Sequence, residues 1–376
     1  MTSTFRGNEV GRQGRPGEFR SDAIVRAGRR RRRRGGTRLS SLATKLAIHR
    51  IGFLRPPEKR LLEAAIEAGL DLSSLSFSGL EKIVGRLIRS RDWHPSSLSR
   101  AAEADLRFLE ARGIRYIALG DPEYPPLLGE IHDPPFGLFV RGSPLPNDRP
   151  SLAMVGTRTA TGKGLSLAVD IAREAALAGI PVISGLARGI DAASHRGALA
   201  ARSRDPEAAA TLAVLPVGID SVYPPSHRGL AAAILEKGGS LVSEYPPGEG
   251  PRTWRFPERN RIIAGIARAT LVVEAPADSG ALITANHALD AGRDVWVAGG
   301  RLGSPMDAGA DRLAAEGAPT LSSLDELLAD WGFSFHVGAE PGEGRQRRGG
   351  GLEGRNEDGA RSLAAELRDE LGLETT

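Results

Sequence analysis

The sequence contains no cysteine, and this absence removes a large part of enzyme chemistry. Disulfides, thiolate nucleophiles and Cys-ligated zinc or iron–sulfur centres are all excluded. No run approaches about eighteen consecutive apolar residues, and the N-terminus is rich in arginine without an apolar signal-peptide core. Neither a membrane span nor a secretory signal is therefore predicted, and we expect a cytoplasmic protein with no membrane partner.

The net positive charge of the chain comes from its N-terminus. Residues 1–38 hold twelve arginines and three acidic residues, a net charge of +9, whereas the whole chain carries +4, so residues 39–376 sum to −5. A nucleic-acid site in the folded body must therefore be a local patch. Residues 1–38, which include the arginine run 29–34, have too few apolar residues to fold and are predicted to be disordered. They are a basic arm, a solvated tail, or an artefact of a start codon assigned too far upstream.

The length of 376 residues suits one large domain, one small domain and unfolded flanks. Apolar residues recur at helical spacing over residues 39–110, which predicts a small helical domain. Residues 111–150 are dense in proline turns and read as a lead-in that packs on the main domain, residues 151–331. Residues 332–376 form a Gly- and Arg-rich tail with one short helix at 360–371, too short for a winged-helix domain.

The main domain alternates apolar strands with helices of ten to fifteen residues, which predicts a parallel sheet covered on both faces. Strands are predicted at 152–155, 181–183, 212–215, 240–242, 271–273 and 295–297, with two more at 116–119 and 138–140 in the lead-in. Helices are predicted at 163–178, 190–201, 228–237, 261–267 and 281–291. In such sheets, ligands bind outside the carboxyl ends of the strands.

The first strand is followed by a glycine-rich turn, VGTRTATGKG, at 155–164. Gly156 allows a tight turn, Thr157 follows it, and Arg158 supplies a planar cationic fork beside a helix N-terminus. This combination suits an anion such as a phosphate. The spacing matches neither a dinucleotide GxGxxG nor a Walker loop, and a purely structural turn is an equally good interpretation of this segment alone.

Two further strand ends repeat the arrangement. In SGLARGID, residues 184–191, Gly185 and Gly189 permit a tight passage into a helix, and Arg188 is placed to face the same cleft as Arg158. After the strand at 271–273, a third helix terminus suited to anions is formed by three residues, Ser279, Gly280 and Thr284.

Arginines alternate with aromatic residues between 243 and 265, the composition that a single strand of nucleic acid requires, since phosphates need cations and unpaired bases need flat faces. The members are Arg252, Arg255, Arg259, Arg261, Tyr245, Trp254 and Phe256. We interpret Phe256 as a core anchor, whereas Trp254 is equally a core anchor or a stacking surface.

Candidate acid–base residues in this region have structural interpretations. His195 lies four residues after Asp191 on a helix and is predicted to be a hydrogen-bonding residue of the core. Asp191 or Ser184 can accept hydrogen bonds from the amides of the loop. Glu274 has no candidate nucleophile or group of metal ligands nearby in the sequence, so we interpret it as a structural carboxylate. No catalytic residue, metal or cofactor is predicted.

The motifs together resemble those of the DNA-processing protein A (DprA/Smf) family, in order and spacing, over residues 108–298. They are GDPEYPPLL, LFVRG, VGTR, SGLARGID, GIDSVYP, SEYPPG, FPERNRIIAG, VVEA and DSGALITANHALDAGRDV. The resemblance implies an α/β fold with a Rossmann-like, mostly parallel sheet and helices on both faces, preceded by a small helical domain, SAM-like or helix-hairpin-like. It further implies a homodimer that binds single-stranded DNA in a positively charged pocket, protects it, and loads the RecA recombinase during natural transformation.

Carried over residue by residue, the resemblance implies a DNA pocket formed by Arg158, Ser184, Gly185, Arg188, Arg259, Asn260 and Arg261. The chain departs from the family pattern after the last strand. There, Gly299 and Gly300 are followed by Gly309, Ala310 and Asp311 in place of a Pro-Gly pair and a Gly-x-Asn turn, which predicts a different edge to the pocket.

Two other functions fit the same sheet. A phosphoribohydrolase-like enzyme would use Glu274 or Asp191 on a bound nucleotide, but the segment 298–301 lacks the proline and the glutamate of the loop typical of those enzymes. A nucleotide-sensing module would bind mononucleotides without turnover.

Overall fold

The computed structural model describes residues 41–89, 93–299 and 305–332. The predicted Arg-rich arm, the Gly/Arg-rich tail and its short helix lie outside the described residues. The chain divides into two compact units, Met1–Glu103 and Ala104–Thr376. None of the helices in the described part of the chain could serve as a bilayer-spanning segment.

The first unit is helical, as the apolar spacing predicts. It contains α1 (Ser41–His49), α2 (Pro56–Glu67), α3 (Phe77–Val84) and the start of α4 (Pro95–Arg112). Leu46, Leu62 and Leu80 are fully buried in its core. The Ser76 hydroxyl accepts the Gly79 amide at 3.1 Å to begin α3, and Gly85 ends that helix with a left-handed φ of 74°.

A buried carboxylate organises this unit. Glu58, 4% exposed, accepts hydrogen bonds from Arg86 Nε at 2.6 Å, from Arg55 Nη2 at 2.8 Å and from the Arg55 amide at 2.9 Å. The Arg86 contact is the main cause that lowers the pKa of Glu58 to about 2, and burial only partly opposes it.

The second unit is built on a nine-stranded sheet in the order β1-β2-β6-β5-β4-β3-β7-β8-β9. The strands are β1 (Arg115–Ala118), β2 (Gly137–Gly142), β3 (Leu152–Val155), β4 (Val182–Ser184), β5 (Thr211–Leu215), β6 (Ser240–Ser243), β7 (Ala269–Val272), β8 (Asp294–Ala298) and β9 (Thr320–Leu321). The pairs β1–β2 and β2–β6 are antiparallel and all other pairs are parallel. The predicted mostly parallel sheet is confirmed.

Helices cover both faces of the sheet. Successive strand residues point to opposite sides, so apolar side chains lie on each face and pack against helices there. Leu152 and Met154 pack on one side with α6 (Gly162–Leu177), α7 (Ile190–Arg204) and α12 (Leu324–Asp330). Ala153 and Val155 pack on the other side with α9 (Arg255–Ile266), α10 (Gly280–Asp290) and α11 (Ala308–Ala315). The remaining helices are α5 (Pro126–Gly129) and α8 (Arg228–Glu236).

Helix α9 differs most from its prediction. It begins at Arg255, six residues before the predicted start at Arg261. The predicted start leaves Pro257 outside the helix, but Pro257 falls in the first turn, where an amide has no intrahelical acceptor and proline costs little. This shift puts Phe256 and Arg259 on a helix that faces the strand ends.

The order of the strands reverses between β3 and β7. Strands β4, β5 and β6 extend the sheet on one side of β3, whereas β8 and β9 extend it on the far side of β7. The loops that leave β3 and β7 therefore diverge and open a crevice at the carboxyl ends of these strands, where open α/β sheets bind ligands.

Candidate functional site

A cleft of about 660 Å³ occupies this crevice. Its walls are the turn after β3, the loop after β4, helix α9, the loop after β7 and the start of α10. Of the residues predicted for the site, the cleft brings together Gly156, Thr157, Arg158, Arg259, Asn260, Ser279, Gly280 and Thr284.

The turn after β3 is fixed by close contacts with two neighbouring loops. The Thr157 amide donates to the Glu274 carbonyl at 2.7 Å, and the Ile190 amide donates to the Thr157 carbonyl at 3.2 Å. Gly189 has a φ of 74°, and a Cβ there would overlap the Thr157 carbonyl. Glycine is therefore required at 189, and the turn is held rigidly at the edge of the cleft.

Arg158 is the exposed cation of the cleft. Its guanidinium carbon lies 5.3 Å from the centroid of the Phe256 ring, within cation–π range. Phe256 is only half-buried and lines the cleft, so its interpretation as a core anchor is wrong. A charged fork and a flat apolar face thus stand side by side.

Arg259 also lines the cleft, but it is only 3% exposed. Its Nη1 donates to the Val214 carbonyl at 2.6 Å at the end of β5, and its guanidinium lies against Gly185, where a Cβ would overlap it. Burial lowers the pKa of Arg259 to about 10, against the opposing effect of Asp191. Arg259 thereby ties helix α9 to the ends of β4 and β5.

Asp191 is the buried partner charge. Its Oδ2 accepts the amides of Gly185 at 3.1 Å and Ala187 at 3.3 Å. Burial raises the pKa of Asp191, while Arg259 and the two amides act in the opposite direction. The carboxylate holds the loop after β4 in place. The sequence analysis named Asp191 and Ser184 as the two candidates for this role, and Asp191 fills it.

A protein carboxylate lies beside the N-terminus of α6, which is predicted to accept an anion. Glu274 is fully buried, and it accepts the Thr161 amide at 3.0 Å and the Thr161 hydroxyl at 2.9 Å. The Thr161 hydroxyl in turn accepts the Gly164 amide at 3.1 Å. Thr161 is thus the N-cap of α6 and Glu274 holds it in place, so the structural interpretation of Glu274 agrees with these contacts, and anion binding at this terminus stays a prediction.

Five predicted residues are not among those that line the cleft: Gly189, which packs against the turn after β3 as described above, and four others. Ser184 is fully buried, and its hydroxyl donates to the Met154 carbonyl at 2.7 Å. Arg261 is buried, and its Nη2 donates to Glu244 at 2.7 Å. Gly185 lies behind the Arg259 guanidinium, and Arg188 is exposed on the loop after β4. For Ser184, Gly185 and Arg261 the structure replaces a ligand contact with an internal one.

Two other residues of the sequence analysis have clear roles. His195 is fully buried, its Nδ1 lies 2.8 Å from Thr211 Oγ1, and desolvation lowers its pKa to about 3, so it is a neutral core residue as predicted. Trp254 is 53% exposed and packs on Arg255, whose guanidinium carbon lies 5.0 Å from the indole centroid. Of its two interpretations, the exposed surface is the one that the structure supports.

Asp278 is the cleft residue of greatest consequence that sequence reasoning missed. It is exposed in the loop after β7 and lines the cleft beside Ser279. The charged lining therefore consists of Arg158 and Arg259 against Asp191 and Asp278, and the positive charge of the cleft is local to Arg158. Within the described residues, no three His, Asp or Glu side chains come together as a metal-binding group.

Comparisons with known proteins agree with this architecture. The family model described as DNA recombination-mediator protein A matches residues 115–332. Protein Smf of Escherichia coli is 37% identical over 237 residues, 63% of this chain and 62% of that protein. DNA processing protein DprA of Streptococcus pneumoniae is 37% identical over 213 residues, 57% of this chain and 73% of that protein.

The X-ray structure of DNA processing protein A from Streptococcus pneumoniae superimposes with a TM-score of 0.61 at 29% identity, covering 80% of this chain and 100% of that one. The chain spans only 62% of the length of the Escherichia coli relative and 54% of Protein Smf from Synechocystis. Because the family model covers the sheet and every wall of the cleft, the chain belongs to the DNA recombination-mediator protein A family, which is represented by the Smf and DprA proteins.

Proposed function

We propose that the cleft binds single-stranded DNA, with a phosphate at Arg158 and the N-terminus of α10 and an unpaired base against Phe256. The observation that carries the proposal is the Arg158 guanidinium beside the half-buried Phe256 ring at the strand-order reversal. A cation and an aromatic face placed together suit a nucleotide whose base is free to stack. The names of the relatives, DNA processing and recombination-mediator proteins, support DNA as the ligand.

The geometry favours a single strand over a duplex. In a duplex the faces of the bases are stacked on one another, so a ring in a cleft has no face to contact. The cleft also has little net charge in its lining, whereas duplex binding without sequence preference depends on many phosphate contacts. One strong phosphate contact combined with stacking is the pattern expected for an unpaired strand.

Binding rather than bond chemistry is favoured by the use of the carboxylates. Glu274 accepts from Thr161, the N-cap residue of α6, and Asp191 accepts two loop amides, so both candidate general bases serve the fold. Incubation of the protein with nucleoside monophosphates, followed by chromatography, should show no free base above the background without protein. Release of a base would support the phosphoribohydrolase-like alternative and overturn the proposal.

The further steps of the proposal are that the protein acts as a homodimer, protects the bound strand and loads the RecA recombinase on it. The family description as a recombination mediator supports this role. The measurement is the rate of RecA-dependent ATP hydrolysis on DNA covered by single-strand-binding protein, which should rise with the added chain. Light scattering should give the mass of a dimer.

The DNA-binding step is tested by replacing Arg158 with alanine. In fluorescence anisotropy with an oligothymidylate, R158A should bind roughly tenfold more weakly, and the slope of log affinity against log salt should fall by about one. The matched control is Arg204→Ala, which removes an exposed arginine from the far end of α7. Equal affinities for R158A and R204A would overturn the assignment of the site.

A further inference from the structure

The Phe256 ring in the cleft has a second aromatic neighbour, Tyr223, which comes from the loop after β5. The two ring centroids are 5.2 Å apart and the planes meet at 70°, an edge-on contact. Tyr223 is 37% exposed, although it is large and apolar. Arg158, Phe256 and Tyr223 therefore form one continuous row that leads out of the cleft.

We propose that Tyr223 is a second base-stacking position, so that the site holds two successive unpaired nucleotides, one on Phe256 and the next on Tyr223. This inference rests on the proposed function of the cleft. An edge-on contact uses only the rim of one ring, which leaves a face of the exposed ring available to a base. A single exposed aromatic residue is ordinary on a protein surface, but one that continues a cationic, aromatic cleft is placed to take the neighbouring base.

The loop that carries Tyr223 is held on both sides, so the ring is positioned before a ligand arrives. On one side the Gly218 amide donates to the Glu249 carbonyl at 2.7 Å, and the Ser221 amide donates to the Gly218 carbonyl at 2.9 Å. On the other side His227 Nδ1 lies 2.9 Å from the Leu186 carbonyl. A ring that is already fixed loses little conformational freedom on binding, which favours affinity.

The angle between the rings also predicts a base preference. Two bases that stack on planes 70° apart cannot remain stacked on each other, so the strand must unstack at this step. Adenines stack strongly in a single strand and thymines weakly. Oligothymidylate should therefore bind more tightly than oligoadenylate of equal length, because less stacking is lost.

The test compares an oligothymidylate with an oligomer of the same length and charge that lacks its bases. Tyr223→Leu should weaken binding of the oligothymidylate at least about fivefold and leave binding of the abasic oligomer unchanged. Tyr223→Phe keeps the ring and should bind both as the parent protein does. R158A should weaken binding of both oligomers, because it removes a phosphate contact.

The outcomes separate the two proposals. If the parent protein binds neither oligomer, the proposed function of the cleft fails, and this inference fails with it. If the parent protein binds oligothymidylate but Y223L binds it equally well, or loses both oligomers equally, the stacking position alone is overturned.

A second measurement does not depend on the folding of a variant. An oligonucleotide with adjacent 5-iodouracils, irradiated in complex with the parent protein, should crosslink to both Tyr223 and Phe256. Crosslinks to Phe256 without Tyr223 would overturn the inference and preserve the proposed function.

Discussion

The guanidinium of Arg259 occupies the space that a side chain at position 185 would need. The arginine cannot move without losing its hydrogen bond to the Val214 carbonyl, because its stem is buried in α9. The φ of Gly185 is not in the left-handed region, so backbone conformation does not require a glycine there. Packing requires it, because the Arg259 guanidinium fills the space of a side chain.

Gly185→Ala should accordingly destabilise the protein by about 1–3 kcal/mol, the usual cost of overpacking a filled site. Urea unfolding followed by circular dichroism measures the change. The matched control is Gly162→Ala in the first turn of α6, where a Cβ meets nothing within 4 Å and alanine favours the helix. The explanation fails if both variants have the stability of the parent protein.

Glu274→Ala removes the carboxylate that accepts from Thr161, the N-cap residue of α6, and should lower stability by about 1–2 kcal/mol, because the Thr161 amide and hydroxyl lose their acceptor. Below the unfolding transition, oligothymidylate affinity should stay within about twofold, since the capped terminus is not the proposed phosphate site. Glu316→Ala, which removes an exposed carboxylate near Arg312, is the control and should unfold at the temperature of the parent protein. A thermal melt of E274A that matches the control would contradict a role of Glu274 in holding the N-cap residue Thr161.

The sheet could be predicted from sequence because its strands are buried on both faces and read as short apolar runs between turns. The cleft could be predicted only in part. Arg158 and Arg259 each lie in a recognisable motif, yet Arg158 is exposed, whereas Arg259 is buried and donates to the Val214 carbonyl. Nothing in the local sequence reveals that difference, because Val214 lies on another strand.

Two residues of the cleft were missed because contacts between distant segments bring them there. Asp278 reaches the cleft because β7 lies beside β3. The apolar pattern of a single strand does not predict which strands will be its neighbours in the sheet. Phe256 reaches it because α9 begins at Arg255, before the predicted start at Arg261. The start of α10 was predicted correctly, because Ser279 is a typical N-cap residue and its hydroxyl accepts the Ala281 amide there, whereas anion binding at this terminus stays a prediction.

Asp278→Asn should tighten oligothymidylate binding, because the exposed carboxylate repels a phosphate brought to the cleft by Arg158. We expect a gain of roughly two- to fivefold in low salt that shrinks as salt screens the charge. Asp290→Asn, at the far end of α10, makes the same change in charge away from the cleft and is the control. If both variants gain equally, the effect is one of net charge and not of position.

The stability of the first unit should fall in acid through Glu58. A carboxyl whose pKa is lowered on folding stabilises the folded state fully above its unfolded value of about 4.5, and that contribution is lost as pH falls towards 2. The contribution is roughly 1–3 kcal/mol, allowing for the exposed Arg55 and half-buried Arg86 partners.

Hydrogen exchange of the α2 amides at pH 6 and pH 3 measures this loss. Glu58→Gln should make α2 less protected at pH 6 and nearly remove the difference between the two pH values. Glu67→Gln, at the exposed end of the same helix, should keep the full pH dependence of the parent protein. An E58Q profile that parallels the E67Q profile would disprove the role of the Glu58 cluster.

The neighbouring positions of β3 and β7 have a consequence for the way the protein comes into being. These strands are adjacent in space but are separated by β4, β5 and β6 along the chain, so synthesis supplies the cleft wall that follows β7 only after those three strands. Long-range pairing of this kind is expected to slow folding. A chain stalled or cut before β7 would carry Arg158 without its facing loop, and a bound oligonucleotide would raise the melting temperature of the whole sheet. Binding of the oligonucleotide would therefore also report that the sheet has folded completely.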